Sequence, residues 1–160
     1  IQKMSLELII GCMYSGKSSE LIRRVKRLQT INQPYIIYNS HHDQRYGNSG
    51  VYTHNNTHIP SHMIDNLVEQ LETQQFKVST TIFIDEAQFF PDLYEFVTEN
   101  VDEHKRHLIV VGLNGDSDRQ TFGDIYKLYP MADDILLLKA LWPQPLVQSS
   151  TLCLHDYTLL

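Results

Sequence analysis

At 160 residues, with 42% hydrophobic and 20% charged side chains, the chain has the make-up of one ordinary globular domain with a buried core. No apolar run approaches the roughly 18 residues of a membrane span, and no signal-peptide pattern opens the chain. A formal net charge of -6 argues against a protein whose main task is to lie along nucleic acid. The two cysteines, Cys12 and Cys153, stand far apart in no paired spacing, so reduced thiols and a cytoplasmic setting are expected. The chain starts at Ile1 rather than Met, and a few residues are expected to precede it.

In chain order, LELII at 6–10 reads as a short buried strand, and residues 17–30 as the helix that follows it. Arg23, Arg24, Lys26 and Arg27 fall on that helix and read as a solvated face. PYIIY at 34–38 predicts a second strand, opened by a proline where a ladder donor is dispensable. Residues 39–60 turn polar and aperiodic, which predicts a long surface excursion. Met63, Ile64, Leu67, Val68 and Leu71 recur at helical spacing and predict an amphipathic helix.

TTIFIDE at 80–86 is a strand running into acid, and Pro91 suits the first turn of a helix carrying Leu93, Phe96 and Val97. HLIVVGLN at 107–114 is a further β-branched run, and DDILLL at 133–138 reads as a last strand with a helical alternative open. Strands that alternate with helices and are apolar on both faces predict an α/β fold, a parallel sheet covered by helices on both sides. Residues 1–141 are expected to form the one working domain, with 142–160 as a tail of different composition.

Gly11, Gly16, Lys17 and Ser18 satisfy the phosphate-loop pattern G-x-x-x-x-G-K-[ST], between a predicted strand and a predicted helix. The chemistry asks for each of them. Glycines let successive N–H groups turn toward an anion, and the helix adds its positive end. Lys17 brings a point charge to the outer phosphates, and Ser18 offers a hydroxyl to Mg²⁺. The reading is a P-loop nucleotide-binding fold that takes a nucleoside triphosphate with Mg²⁺.

Asp85, closing a buried strand, fits the second support for Mg²⁺ through its water shell. Glu86, next in line, is placed to act as a base on the attacking hydroxyl. The competing structural role for the pair is capping the helix after Pro91. Phe89 and Phe90 follow the acids, as core, as the wall of a substrate pocket, or one of each. If the attacking oxygen belongs to water, the domain is a generic ATPase, and DEAQ at 85–88 echoes a helicase box. A helicase, however, needs two such domains and a basic track.

Taken together, these residues resemble the thymidine kinases shared by animal cells, many bacteria and large DNA viruses. GCMYSGKSSELIRRVKR at 11–27, DQRY at 43–46, IDEAQFF at 84–90, VVGLNGDSDRQTFG at 110–123 and LYPMADDI at 128–135 carry the likeness over residues 5–141. It implies the RecA-like variety of the P-loop fold, ATP as donor, and thymidine or deoxyuridine as acceptor. It implies nucleotide binding by Gly11, Cys12, Met13, Tyr14, Ser15, Gly16, Lys17, Ser18, Asp43, Gln44, Arg45, Asp85 and Gln88. Glu86 would take the proton of the 5′-hydroxyl. Met13, Phe89, Leu113, Ser117 and Phe122 would meet the nucleoside. A tetramer is implied as well, with no nucleic acid or membrane partner.

Departures from the family pattern fall on the nucleoside side. Ser117 stands where the family has an aromatic that packs on the base, a loss of about 1 to 3 kcal/mol of contact. Thr121 replaces a proline. The paired cysteines of the family's zinc site are missing, with Trp142 and Pro145 in that region, so no structural zinc is expected. A metal role for His54, His58 and His62 is disfavoured by the intervening Pro60. The terminal lasso of the family finds no match in residues 142–160 and is not expected, and residues 142–154 carry no charge. A relic that binds nucleotide but not nucleoside is therefore the alternative to a working kinase.

Overall fold

The computed structural model describes residues 5–42, 50–52, 57–102 and 106–140. Strands β1 (Ser5–Gly11), β2 (Tyr35–Ser40), β3 (Val51–Tyr52), β4 (His58–Ile59), β5 (His62–Ile64), β6 (Thr81–Ile84), β7 (His107–Leu113) and β8 (Asp134–Leu138) are joined by helices α1 (Lys17–Thr30), α2 (Gln74–Val78) and α3 (Leu93–Asp102). Six strands form one sheet in the order β5-β2-β6-β7-β1-β8, every neighbouring pair parallel. This is the predicted α/β architecture.

Side-chain alternation along the strands divides the core into two layers. Ile9, Ile37, Phe83, Ile109 and Val111 point to one face, where α1 lays Leu21, Ile22 and Val25 against them. Each such aliphatic side chain removed from water contributes about 1.5 to 3 kcal/mol. Leu6, Leu8, Ile10, Ile82, Ile84, Leu108 and Val110 point to the other face, covered by Phe76 of α2 and by Leu93, Phe96 and Val97 of α3. Ile125 and Leu128, from a 3-10 stretch over Ile125–Met131, close the same layer.

The expected helix over 63–71 is not there. Met63 and Ile64 belong to β5, which pairs with the edge of β2, and a 3-10 turn over Val68–Gln70 follows. Leu67 is still fully buried, and the Val68 N–H is taken by the Asp92 carboxylate at 2.8 Å. An unpaired edge of β2 recruits the backbone as a strand, and local apolar spacing cannot register that demand. The polar excursion also contains structure: Val51 and Ile59 of the antiparallel β3–β4 pair are buried beneath α1. The expected last strand forms over Asp134–Leu138, but β8 is the sheet edge, with Ile135 42% and Leu137 54% exposed.

On α1, the side chains of Arg23 and Arg24 are tied locally. Arg23 and Arg24 both hold Glu20, at 2.7 and 2.9 Å, and Arg24 also pairs with Glu7. The Arg23 hydrogen bond, aided by Arg24 and opposed by partial burial, draws the Glu20 carboxyl down to about 2. Arg24, with Glu7 and His107, borders a cavity of about 270 Å³ beside Leu28 and Ile31 at the end of α1.

Candidate active site at the carboxyl ends of the strands

The glycine loop, the acid pair and the turn after β7 all leave the sheet from the carboxyl ends of parallel strands, where open α/β sheets place their ligand crevices. β7 lies between β1 and β6. Two strand spacings therefore separate the phosphate loop from the acid strand, about 10 Å across the sheet. An acid strand one removed from the phosphate-loop strand is the RecA-like arrangement.

β1 ends at Gly11, where an added Cβ would lie 2.5 Å from both the Leu138 carbonyl oxygen and Ser15 Oγ. The chain turns through Tyr14 at φ 59 and Gly16 at φ 87, and α1 begins at Lys17. No side chain caps this helix, and the space above Gly16 is open to 4 Å from where a Cβ would sit. Ser15 Oγ is buried without a hydrogen-bond partner. Lys17 is buried, and its Nζ donates to the Cys12 carbonyl at 2.6 Å, which bends the side chain back over the loop. An uncapped helix start, a glycine cradle and an inward lysine are the donor set that a polyphosphate requires. The residues present fit a nucleoside triphosphate.

At the end of β6, the Asp85 N–H is held by the Tyr38 carbonyl at 2.8 Å. Its own Oδ1 accepts the Glu86 N–H at 3.0 Å, so Asp85 organises the turn that follows. Glu86 takes up φ 48, ψ 43, a left-handed conformation uncommon for a residue with a Cβ. Both acids are buried, Asp85 at 4% and Glu86 at 5% exposure. A 3-10 turn over Ala87–Phe89 separates them from α3, which rules out helix capping as their role. Pro91 falls two residues ahead of α3.

Gln88 joins the acid turn to β7. Its Nε2 donates to Glu86 Oε2 at 2.6 Å, and its Oε1 accepts the Leu113 N–H at 3.1 Å. Room for this comes from Gly112, where a Cβ would lie 2.3 Å from Ile125 Cδ1 and 2.7 Å from Gln88 Oε1. Gly123, at φ +64, rests against the Gln88 backbone: a Cβ there would stand 2.3 Å from its carbonyl oxygen.

Of the residues expected at the nucleoside, Phe89 and Phe122 meet edge to face at 5.4 Å, and His42 lies against the other side of Phe89 at 6.1 Å. Leu113 is buried at the end of β7, and Met13 is half-buried two residues past the end of β1. Ser117 is exposed on a tight turn whose backbone N–H groups at 118 and 120 are both held by Asp116 Oδ1. Asp43, Gln44 and Arg45 lie outside the described residues, as do His54 and residues 141–160. His42 was not anticipated; a histidine in a polar stretch carries no signal until Phe89 is seen beside it. Among the described residues no group of three or more His, Cys, Asp or Glu side chains gathers as a metal cluster, and no helix is long and apolar enough to cross a membrane.

The family model for thymidine kinase matches residues 4–144. The chain belongs to the thymidine kinase family. It is 35% identical over 139 residues to thymidine kinase a of Arabidopsis thaliana, covering 85% of this chain and 58% of that one. Against the thymidine kinase of Oryza sativa subsp. japonica the identity is 34%, covering 84% and 51%. The thymidine kinase of Monkeypox virus is 39% identical over 136 residues, covering 84% and 74%. The chain thus spans little more than half the length of the plant relatives it matches, and about three quarters of the viral one.

Proposed function

We propose that this protein transfers the γ-phosphoryl group of ATP to the 5′-hydroxyl of thymidine or a closely related deoxypyrimidine nucleoside such as deoxyuridine. One observation carries the reading: a buried glutamate, clamped in an unusual backbone conformation, lies at the same carboxyl end of the sheet as an uncapped, lysine-bearing phosphate loop in a thymidine kinase family member. Bound ATP supplies the phosphoryl group, and Mg²⁺ neutralises charge on it as it moves.

The chain's own residues do the rest. The backbone of 11–16 and the start of α1 cradle the phosphates, and Lys17 exchanges its Cys12 carbonyl for a phosphate oxygen. Ser18 and Asp85 would hold the metal, Asp85 through water. Asp43, Gln44 and Arg45 are assigned to the same end of the site. Glu86 accepts the proton of the attacking hydroxyl, a role worth about 10² to 10⁴ in rate. Burial of Glu86 keeps water from competing for that proton. Met13, Phe89, Leu113 and Phe122 form the wall against the base. The kinase domain is assigned to 1–141 and a divergent tail to 142–160. A homo-oligomer, cytoplasmic placement and the lack of a nucleic acid or membrane partner belong to the same proposal.

A second reading is favoured by Ser117, small and exposed where a stacking ring is expected. It makes the protein a nucleotide-binding relic whose nucleoside end does not work. ADP release with and without thymidine separates the readings. Thymidine-dependent release supports the kinase, ATP binding without release supports the relic, and thymidine-independent release makes the domain a simple ATPase.

A further inference from the structure

Gln88 was expected among the nucleotide contacts, yet both ends of its amide are engaged inside the protein. The nitrogen donates to Glu86 Oε2 and the oxygen accepts from the Leu113 N–H, in a side chain only 4% exposed. The orientation of the amide is set by this pairing. A flipped amide would put its oxygen against a carboxylate and its NH₂ against an N–H. Gly112 keeps the space in which Oε1 sits, and Gly123 braces the Gln88 backbone from the other side. A hydrogen bond from a neutral amide to a buried carboxylate is charge-assisted and directional, so the anchor and the held group form a rigid unit.

We propose that Gln88 is a positioning residue for the Glu86 carboxylate, setting the angle at which it meets the substrate hydroxyl and tying it to the end of β7. The inference rests on the reading of Glu86 as the base. It predicts that Gln88→Met lowers kcat by about 10- to 100-fold, the scale of a misplaced catalytic group. The ATP dissociation constant and the nucleoside KM should stay within about threefold of wild type. The double variant Glu86→Gln/Gln88→Met should be no slower than Glu86→Gln alone, because the two act as one unit. Gln88→Glu keeps an acceptor for the Leu113 N–H but sets two carboxylates together, and the acid limb of its kcat profile should move up by about one pH unit or more.

Additive losses in the double variant would overturn the proposal, and so would a loss of ATP affinity beyond about tenfold with kcat retained. If the wild type shows no thymidine-dependent turnover, it is the kinase reading that fails. The positioning claim is then decided by the crystal structure of Gln88→Met: a Glu86 carboxylate turned away from its wild-type direction upholds it, and an unmoved carboxylate refutes it.

Discussion

Replacing Gly123 by alanine tests whether the loop after β7 is part of the acid turn or merely lies near it. At φ +64 a residue with a Cβ costs about 1 to 2 kcal/mol. The added methyl would also stand 2.3 Å from the Gln88 carbonyl oxygen and 2.9 Å from its Cα, so one backbone must yield. Overpacking of that kind costs about 1 to 3 kcal/mol, and the loop, being at the surface, gives way before the sheet does. The sum is about 2 to 5 kcal/mol. For 160 residues, an unfolding entropy of about 0.34 kcal/mol/K converts each kcal/mol to about 3 °C. Gly123→Ala should therefore lower Tm by about 6 to 15 °C in a thermal melt followed by circular dichroism. Displacing this loop also carries Phe122 away from Phe89, so nucleoside KM should rise in a coupled ADP-release assay at a temperature where the variant is folded. A Tm within about 3 °C of wild type together with an unchanged KM would refute the close backbone approach and the role drawn from it.

Three other outcomes follow from the same geometry. Glu86→Gln should retain ATP binding by equilibrium titration while turnover falls about 10² to 10⁴-fold, and undiminished turnover would dismiss Glu86 as the base. Lys17→Ala removes the charge aimed into the cradle and should weaken ATP affinity itself, read in the same titration. His107 bonds Ser5 and faces Glu7, Arg24 and Asp133; burial leads the causes that hold its folded-state pKa below 6.5, with the Glu7 and Asp133 charges opposing. The unfolded chain then binds the proton more readily, so stability is full above pH 6.5 and declines as pH falls through and below that value. Thermal melts between pH 7.5 and 5.5 should show the decline, and His107→Asn should flatten it.

The glycine loop was legible because all its requirements are local. A strand, a G-x-x-x-x-G-K-S string and a helix start occupy consecutive residues, and the structure places β1, Gly16 and Lys17 as that string demands. Asp85 and Glu86 were legible for the same reason, as acids at the end of an apolar run. The segment 63–71 misled, because Met63 and Ile64 answer to the open edge of β2, more than twenty residues upstream, rather than to their own periodicity. Gln88 was expected only as a nucleotide contact, through the family resemblance; its engagement with Leu113 joins residues 25 apart.

By itself the sequence determined that this chain folds as alternating strands and helices around a glycine-rich turn with two acids downstream, since backbone propensity, apolar alternation and glycine geometry act over a few residues. Only the tertiary structure decided that β7 separates β1 from β6, that Gly112 and Gly123 make room around Gln88, and that Glu86 is buried and held by that amide. Those arrangements depend on which strand edges meet and which side chains are excluded by contact, and such contacts arise between residues far apart in the chain.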